Sequence, residues 1–467
     1  MSAALMVGGV AGAEGGGGVS RVSGPSPFPP GCNGETGPGT LYPNGEVQPE
    51  LAVDPRNPRH LVGTYQEDRF SDVASQAVLG VTSFDGGRSW SRGAPAFSQC
   101  AGGDFKRATD SSTAISPDGT AYLAALSLNG GIFAPGSEAA VLVARSGDGG
   151  RTWAKPTTLI REGPPAFNDF PLITADPVDS RYVYVAWVRI GLLGETDFEG
   201  PTYLARSTDG GRTWEPARKI YDPGVDNQTI ANKILVLPDG TLVNAFSTFH
   251  QDPVTGQTSI DAGVIRSTDR GTTWSAPAKV AQLLSVGATD PDAGTPVRDG
   301  ASIPHFAVDG RGILYAAWQD ARFTGGQRDG IAFSRSVDGG QIWTDPVPVN
   351  RDLSVQAFSP GLAVTSDGTV GVTYYDLRDN TPDPATLPTD YWLATSRNGT
   401  TWSERRVAGP FDLATAPRAD RPVPSLYLGD HHGLVAAGPF FVPLFPMTNN
   451  GNPSNPTDIF TATLPAR

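Results

Sequence analysis

The sequence lacks a run of roughly eighteen apolar residues, the length that usually spans a membrane as a helix, so no transmembrane helix is expected. Positive charge is also scarce, since 35 Lys and Arg residues stand against 48 Asp and Glu residues and the net charge is −13. Proteins that bind nucleic acids usually present a basic surface. These two shortages argue against a membrane span and exclude DNA and RNA as expected partners.

Cysteine occurs only as Cys32 and Cys100. Two cysteines allow a single disulfide in an oxidising compartment, and two unrelated thiols are the alternative. Residues 1–21 begin with a short apolar run that ends in Ala11-Gly12-Ala13, an A-x-A type cleavage signal, although the usual positively charged start is missing. We interpret residues 1–21 as a signal-peptide-like segment or a flexible tail, and we expect a secreted or extracytoplasmic protein.

Glycine and proline are abundant, with 57 and 42 residues, which predicts many turns between short strands and negligible helix. One pattern recurs and first reads Ser83-Phe84-Asp85-Gly86-Gly87-Arg88-Ser89-Trp90. Its six copies end at Trp90, Trp153, Trp214, Trp274, Trp343 and Trp402, and the last copy has Asn398 in the Asp position. Asp can accept backbone N–H bonds and Gly tolerates positive φ, so each copy is predicted to be a tight structural turn between strands.

Apolar strands precede every copy, and two further strand-like runs lie upstream of each. Four short strands per repeat are typical of a propeller blade. A seventh unit without the pattern follows the six copies, so we predict an all-β chain that forms one seven-bladed β-propeller over residues 48–467, with six blades as the alternative. Residues 22–47 are predicted to form an arm, in which the segment near Gly39 to Tyr42 supplies the last strand of the last blade and removes its exposed edge.

The recurring pattern, Ser-x-Asp-x-Gly-x-Thr-Trp, resembles the Asp-box or BNR repeat of the sialidase superfamily over nearly the whole chain after about residue 48. This resemblance implies a propeller. Asp-box propellers include sialidases, other polysaccharide-cleaving enzymes and non-enzymatic receptors, so the resemblance identifies the repeat and leaves the reaction open. Typical sialidases have six blades and an Arg-Ile-Pro motif, which is absent from this sequence.

Three blades share the pattern aromatic-x-acid-x-Arg after their second strands. The acids are Glu67, Asp320 and Asp376, and the arginines are Arg69, Arg322 and Arg378. Guanidinium groups match a carboxylate in shape, and two carboxyl groups perform most glycoside hydrolysis. We therefore interpret the arginines as substrate-binding residues and the acids, with the neighbouring Tyr375, as candidate catalytic residues. The alternative is that each acid pairs with its own arginine and braces the loop, as expected of a repeated feature.

Residues that do not repeat form a second group of candidates. Arg107 and Asp110 precede or begin blade two and Asp169 begins blade three, and we interpret these three as substrate-binding. Asp430 and His431 begin blade seven and are candidates for an acid/base pair, because histidine titrates near neutral pH.

Cofactor motifs are weak or absent. Two adjacent histidines and one acid are not a recognisable ligand spacing, so a metal site stays unknown, and calcium is unsupported because no EF-hand-like spacing occurs. Without a P-loop or a GxGxxG motif that opens a helix, no organic cofactor is expected.

The sequence therefore leads to a secreted, monomeric, carbohydrate-directed enzyme, a glycosidase similar to an exo-alpha-sialidase that acts on an acidic glycan. A propeller that binds a glycan or a protein without catalysis is the first alternative. A polysaccharide lyase, in which a Tyr or His base and an Arg would act on a uronate, is the second.

Overall fold

The computed structural model describes residues 18–34, 39–194 and 197–467. The prediction of an all-β chain is confirmed, because the described residues form strands and only three short 3-10 turns, at Gln99–Ala101, Arg322–Thr324 and Leu413–Thr415. In this part of the chain, no helix is long and apolar enough to cross a membrane. Most of the predicted leader, residues 1–17, lies outside the described residues.

The strands are numbered in chain order. They are β1 (Ser20–Arg21), β2 (Leu41–Tyr42), β3 (Val47–Asp54), β4 (Asn57–Phe70), β5 (Ser75–Ser83), β6 (Ser91–Gly93), β7 (Arg107–Ile115), β8 (Ala121–Asn129), β9 (Glu138–Ser146), β10 (Thr157–Glu162), β11 (Ala166–Ala175), β12 (Val183–Leu192), β13 (Phe198–Glu199), β14 (Thr202–Ser207), β15 (Arg218–Tyr221), β16 (Asn227–Val236), β17 (Leu242–Gln251), β18 (Thr258–Ser267), β19 (Ala278–Leu283), β20 (Val297–Arg298), β21 (His305–Val308), β22 (Leu314–Asp320), β23 (Gly330–Ser336), β24 (Val347–Pro348), β25 (Ala357–Val364), β26 (Val370–Asp376), β27 (Pro388–Ser396), β28 (Ser403–Asp412), β29 (Arg418–Ala419), β30 (Ser425–Tyr427), β31 (Gly433–Ala437), β32 (Phe440–Thr448), β33 (Thr457–Thr461) and β34 (Leu464–Pro465).

Most strands belong to antiparallel units that follow one another along the chain. Units 1 and 2 contain β3–β6 and β7–β10, unit 3 contains β11, β12, β14 and β15, units 4, 5 and 6 contain β16–β19, β21–β24 and β25–β28, and unit 7 contains β31–β33 with β1. The first strand of each unit contacts the first strand of the next unit, and β31 of unit 7 contacts β3 of unit 1. The contacts between first strands therefore form a closed circuit through the units, which we call the ring.

The core lies between adjacent units. All nine residues of β5 are buried, which means that both faces of this strand are covered. Between units 2 and 3, Val141 and Val143 pack in one cluster with Ile173 and Val185. Continuous apolar strands of this kind suit sheets that are covered on both faces, and their burial is the main driving force for the ring.

The ring closes through a different N-terminal segment from the one predicted. Leu41–Tyr42 pairs with β4 inside unit 1, so the prediction that the segment near Gly39 to Tyr42 completes the last unit is wrong. Ser20–Arg21, from the stretch interpreted as a leader or tail, pairs instead with Phe460 and Thr461 of β33. A two-residue strand has no periodicity of its own, and it forms here because the edge of β33 offers unpaired backbone groups.

The N-terminal arm is attached at further points. Cys32 and Cys100 form a disulfide that joins the arm to the connection after β6. Arg92 donates from Nη1 to the carbonyl oxygens of Gly24 and Pro25, at 2.7 and 3.1 Å. Closure of unit 7 thus depends on an arm that is also held against unit 1.

The recurring Ser-x-Asp pattern forms the predicted turns. In unit 2, Asp148 accepts hydrogen bonds from Thr152 N at 2.9 Å and from Thr152 Oγ1 at 2.6 Å. Gly150 has a φ of 95°, and a Cβ at this position would collide with Thr82 Oγ1. Partial burial raises the pKa of Asp148, but the hydrogen bonds from Thr152 and Ser146 outweigh it and hold the pKa at about 2. These carboxylates are therefore structural acceptors within turns.

We expect Asp148→Ala to lower the free energy of unfolding by about 1 kcal/mol, the usual cost of losing a side-chain acceptor for backbone N–H groups. Asp148→Asn keeps one acceptor oxygen, as Asn398 does in the sixth copy of the pattern, and should cost less. Urea denaturation of both variants measures the difference. Equal destabilisation by Ala and Asn would contradict this account of the turn.

Candidate functional site

A cavity of about 860 Å³ lies where two long connections meet the starts of the first strands. The connection between units 4 and 5 contains β20, and the connection between units 6 and 7 contains β29 and β30. Strands β20 and β30 pair in parallel, which places Val297 opposite Leu426 and Arg298 opposite Tyr427. This pairing of distant connections builds one side of the cavity.

A β-bulge recurs where the first strands begin. In five units the pairing between the first and second strands shifts register. Near each of these shifts, a single residue other than glycine has a positive φ. These residues are Gln48, Asp110, Phe170, Ala231 and Ser359, with φ values of 53°, 45°, 56°, 56° and 48°. Such bulges redirect side chains and are common beside active sites, although the left-handed conformation is strained for these residues. Of the five, Asp110 and Phe170 line the cavity.

The strongest ion pair of the cavity joins Asp430 to Arg298. Arg298 donates from Nε to Asp430 Oδ1 and from Nη2 to Asp430 Oδ2, both at 2.7 Å. Burial raises the pKa of Asp430, but the charge of Arg298 and its hydrogen bonds outweigh burial and hold the pKa below its usual value. Asp430 is therefore ionised at neutral pH.

The pKa of Asp169 is shifted in the opposite direction. Burial, followed by the nearby Asp110 carboxylate, raises the pKa of Asp169 to about 7. Burial and the charge of Asp430 also raise the pKa of Asp110. The cavity thus places an acid that holds its proton near neutral pH beside an acid that does not, and divergent pKa values of this kind mark acid and base roles.

Asp110 belongs to a hydrogen-bond network with Gln48, Gln66 and Tyr427. Gln48 donates from Nε2 to Asp110 Oδ1 at 2.8 Å, and its Oε1 accepts from Gln66 Nε2 at 2.8 Å and from Tyr427 Oη at 2.5 Å. The guanidinium carbons of Arg69 and Arg298 lie 4.8 and 5.2 Å from the centre of the Tyr427 ring. Tyr427 therefore connects the Asp110 network to the Arg298–Asp430 pair.

Each of the three repeated arginines has hydrogen-bond partners of its own. Arg69 donates from Nη1 to the carbonyl oxygen of Ala74 at 2.8 Å. None of Arg69, Arg322 and Arg378 is among the described residues that line the cavity.

Two of the repeated acids pair with the arginine of the same motif. Arg322 donates from Nε and Nη2 to Asp320, at 2.8 and 2.7 Å. Arg378 donates from Nε to Asp376 Oδ2 at 2.6 Å and lies 3.6 Å from the centre of the Trp392 ring. This geometry is the loop-bracing alternative considered for the motif.

Glu67 is not paired with Arg69. Glu67 is fully buried, burial raises its pKa well above the usual value, and within the described part of the chain neither of its carboxylate oxygens has a hydrogen-bond partner. It does not line the cavity.

The remaining candidates do not line the cavity. Tyr375 is 1% exposed and donates its hydroxyl to the carbonyl oxygen of Pro446 at 2.8 Å. Arg107 donates to Asp72 Oδ1 at 2.7 Å. His431 is 3% exposed, with its ring 5.2 Å from that of Phe170 and its Nε2 3.5 Å from Glu50 Oε1. Asp110, Asp169 and Asp430 are thus the predicted residues that the structure brings together.

Sequence reasoning missed Arg298, Tyr427 and Gln48. Arg298 and Tyr427 lie in connections outside the repeat, and the unusual length of those connections was the one available signal, because long connections are often functional. Gln48 shows no signal, since its role depends on the bulge at the start of β3. Among the described residues, no group of three or more His, Cys, Asp and Glu side chains is arranged to hold a metal ion.

We expect Arg298→Met to lower the free energy of unfolding at pH 7 by about 2 kcal/mol, because it leaves the buried Asp430 carboxylate unpaired. This loss is smaller than for a fully buried ion pair, since Arg298 is partly exposed to water. Arg181→Met serves as the matched control, since it removes an arginine from the exposed pair with Asp179. Chemical denaturation measures both. An Arg298→Met protein as stable as the control would contradict a stabilising role for the pair.

The raised pKa of Asp169 predicts a pH dependence of stability. The unfolded carboxyl group loses its proton near the usual pKa of 3.8, whereas the folded one keeps it until about pH 7. The folded state therefore binds more protons between these values, and this group destabilises the protein as pH rises, by up to about 1.4 kcal/mol per pH unit. The difference in unfolding free energy between Asp169→Asn and the parent protein should grow in favour of the variant from pH 4 to pH 7. Parallel pH profiles would show that Asp169 is not perturbed.

No protein-family model matches the sequence. Two curated proteins, both named xyloglucanase Xgh74A and both from Acetivibrio thermocellus, are 26% identical over 303 residues, which cover 60% of this chain and 31% of the relative. The chain thus spans about a third of the length of the curated relatives it matches.

Several solved structures are similar over most of the chain. They include a protein of unknown function from Dyadobacter fermentans (TM-score 0.48, 15% identity, 77% of this chain and 95% of that chain), the Hadza microbial sialidase Hz136 (TM-score 0.45, 17% identity, 90% and 66%), and the GH93 α-L-arabinofuranosidase of Fusarium graminearum in complex with arabinobiose (TM-score 0.46, 12% identity, 91% and 96%). All three TM-scores are below 0.5, which is too low to transfer a fold or an activity to this chain.

Proposed function

We propose that the protein is a glycoside hydrolase and that its active site is the cavity between the two paired connections. The observation that carries this proposal is the presence, in one cavity, of Asp169 with a pKa raised to about 7 and Asp430 with a pKa held low. Two carboxyl groups in opposite protonation states are what most glycoside hydrolysis requires.

The two aspartates have separate roles in this mechanism. Asp169 donates its proton to the glycosidic oxygen as the bond to the anomeric carbon breaks. Asp430 is ionised and stabilises the positive charge that develops on the sugar ring. Arg298 keeps Asp430 ionised and fixes its orientation through two hydrogen bonds. Asp110, held by Gln48, is placed to accept a hydrogen bond from a substrate hydroxyl.

We further propose that the seven units are the blades of one β-propeller that forms a single domain over residues 48–467. The closed chain of contacts between first strands and the turns of the Asp-box type support this interpretation. In a propeller, loops from all blades converge near the axis, which accounts for a site assembled from residues of units 2, 3 and 7.

Two observations bear on the substrate class. The curated relatives are named for xyloglucan cleavage, which supports a glycan substrate. An acidic sugar, as a sialidase-like enzyme would take, would be bound by Arg421, which lines the cavity, is exposed and has no ion-pair partner among the described residues. Arg298 is already occupied by Asp430. The disulfide supports secretion, and we propose that the protein acts as a monomer.

Substitution of either aspartate tests the assignment. We expect Asp169→Asn and Asp430→Asn each to lower kcat/KM by about 100- to 10,000-fold on any glycoside that the parent protein cleaves. Asp252→Asn, at an exposed turn, is the control and should retain activity. The substrate panel includes xyloglucan, α-L-arabinofuranosides and sialosides, and the parent protein should lose activity above about pH 7 as Asp169 loses its proton.

Other outcomes of the same assay would overturn the proposal. Cleavage that survives both substitutions would place the active site elsewhere. An unsaturated product that absorbs in the ultraviolet would indicate elimination by a lyase. A rise in melting temperature with a glycan that is never cleaved would indicate a binding propeller.

A further inference from the structure

The cavity lining contains four acids and a group of aliphatic residues. Asp110 and Asp169 come from the starts of units 2 and 3, Asp430 from the connection just before unit 7, and Asp299 from the connection between units 4 and 5. The aliphatic residues come from unit 4 and from the connection that follows it; they are Ile230, Ile260, Leu283, Val297 and Ile303. We call these five residues the aliphatic wall. Val423, which is 50% exposed, extends the aliphatic surface at the cavity lining.

The wall is anchored in the core. Ile260 of β18 and Leu283 of β19 are directly opposite each other in the sheet, so their side chains share one face. Ile303 packs with Phe170 and Ala231, and Ile230 packs against the same cluster. Side chains embedded in this way present a fixed apolar surface to a ligand.

Two polar residues of the cavity lining, Asp299 and Ser285, already have hydrogen-bond partners. Asp299 accepts hydrogen bonds from Ala288 N and from Gln319 Nε2, both at 2.6 Å. Ser285 donates its hydroxyl to Asp329 at 2.5 Å. A sugar hydroxyl placed against the wall would lose its hydrogen bonds to water without replacement, at a considerable energetic cost.

The part of the substrate that contacts the wall must therefore be apolar. Phe170 is the one aromatic residue among the described residues that line the cavity, so the apolar surface is mainly aliphatic. A surface of this kind gains binding energy by removing hydrocarbon from water, in proportion to the apolar area that is buried.

We propose that the natural substrate is a glycoside with a hydrocarbon aglycone, and that the aliphatic wall binds this aglycone. This inference rests on the proposed glycosidase function and deepens it. The sugar lies beside Asp169 and Asp430, and the aglycone extends along Ile230 and Ile303. In the reaction the bond between the anomeric carbon and the glycosidic oxygen breaks, Asp169 gives its proton to that oxygen, water supplies a hydroxyl to the sugar and a proton back to Asp169, and the aglycone leaves as an alcohol.

Paired methyl and octyl glycosides test the inference. With each sugar of the panel, kcat/KM is measured for both, below the concentration at which the octyl glycoside forms micelles. Each fully buried methylene group improves binding by up to about fourfold, so partial burial of the chain should give the octyl glycoside an advantage of about tenfold or more. Equal kcat/KM values for methyl and octyl glycosides would overturn the inference and leave the glycosidase function standing.

Two single substitutions test whether the aliphatic wall causes the preference for the octyl glycoside. Val423→Thr keeps the shape of the side chain and places a hydroxyl at a partly exposed position. Ile230→Thr places a hydroxyl within the wall and also removes the Cδ1 methyl group. Both should reduce the ratio of octyl to methyl kcat/KM several-fold. Val337→Thr, at a 73% exposed valine in a turn outside the cavity, is the matched control and should leave the ratio unchanged. A ratio that is the same in all three variants would contradict the wall as the aglycone site.

Binding measurements separate this inference from the function on which it rests. Calorimetry with Asp169→Asn measures the affinity for octyl and methyl glucoside without turnover. If no glycoside is cleaved by the parent protein but octyl glucoside still binds more tightly and Val423→Thr weakens only that binding, the proposed function fails and the apolar site stands. If neither glucoside is preferred, the apolar site is refuted whatever the catalytic result.

Discussion

Backbone pairing between Ser20–Arg21 and β33 joins the two ends of the described chain and completes unit 7. Without this pairing, β33 would present an open edge. The first strands of neighbouring units contact one another around the ring. Asp110, Asp169 and Asp430 are far apart in the sequence and line one cavity.

The pKa values of two of these acids are shifted in opposite directions. Asp430 is buried and Asp169 is half-buried, and burial raises the pKa of a carboxyl group. Asp430 has the Arg298 guanidinium against both of its oxygens and stays ionised, whereas Asp169 has neighbouring carboxylates and keeps its proton to about pH 7. The position of one arginine, set by the parallel pairing of β20 with β30, therefore separates the acid from the base.

Repeated features shape the backbone, whereas features outside the repeat contribute to the cavity. The Asp-box turns and the bulges recur from unit to unit and shape the backbone, with Asp148 and Ala231 as examples. In two of the three aromatic-x-acid-x-Arg motifs the acid and the arginine pair with each other, as Asp320 and Arg322 do. The long connections break the repeat, and they supply Arg298 and two of the five residues of the aliphatic wall, Val297 and Ile303.

Local signals were sufficient for the all-β class, for the turns and for three of the cavity acids, because alternation, glycine positions and departures from a repeat can be read along the chain. The roles of Arg298, Tyr427 and Gln48 could not be read in this way. Arg298 and Tyr427 meet across a strand pair formed by two separate connections, and Gln48 faces Asp110 because of a bulge. The sequence by itself determined which segments are strands and turns, since those depend on neighbouring residues. Only the tertiary structure decided which strand closes the ring, which arginine faces which acid and which acid keeps its proton, since these depend on contacts and burial between residues that are distant along the chain.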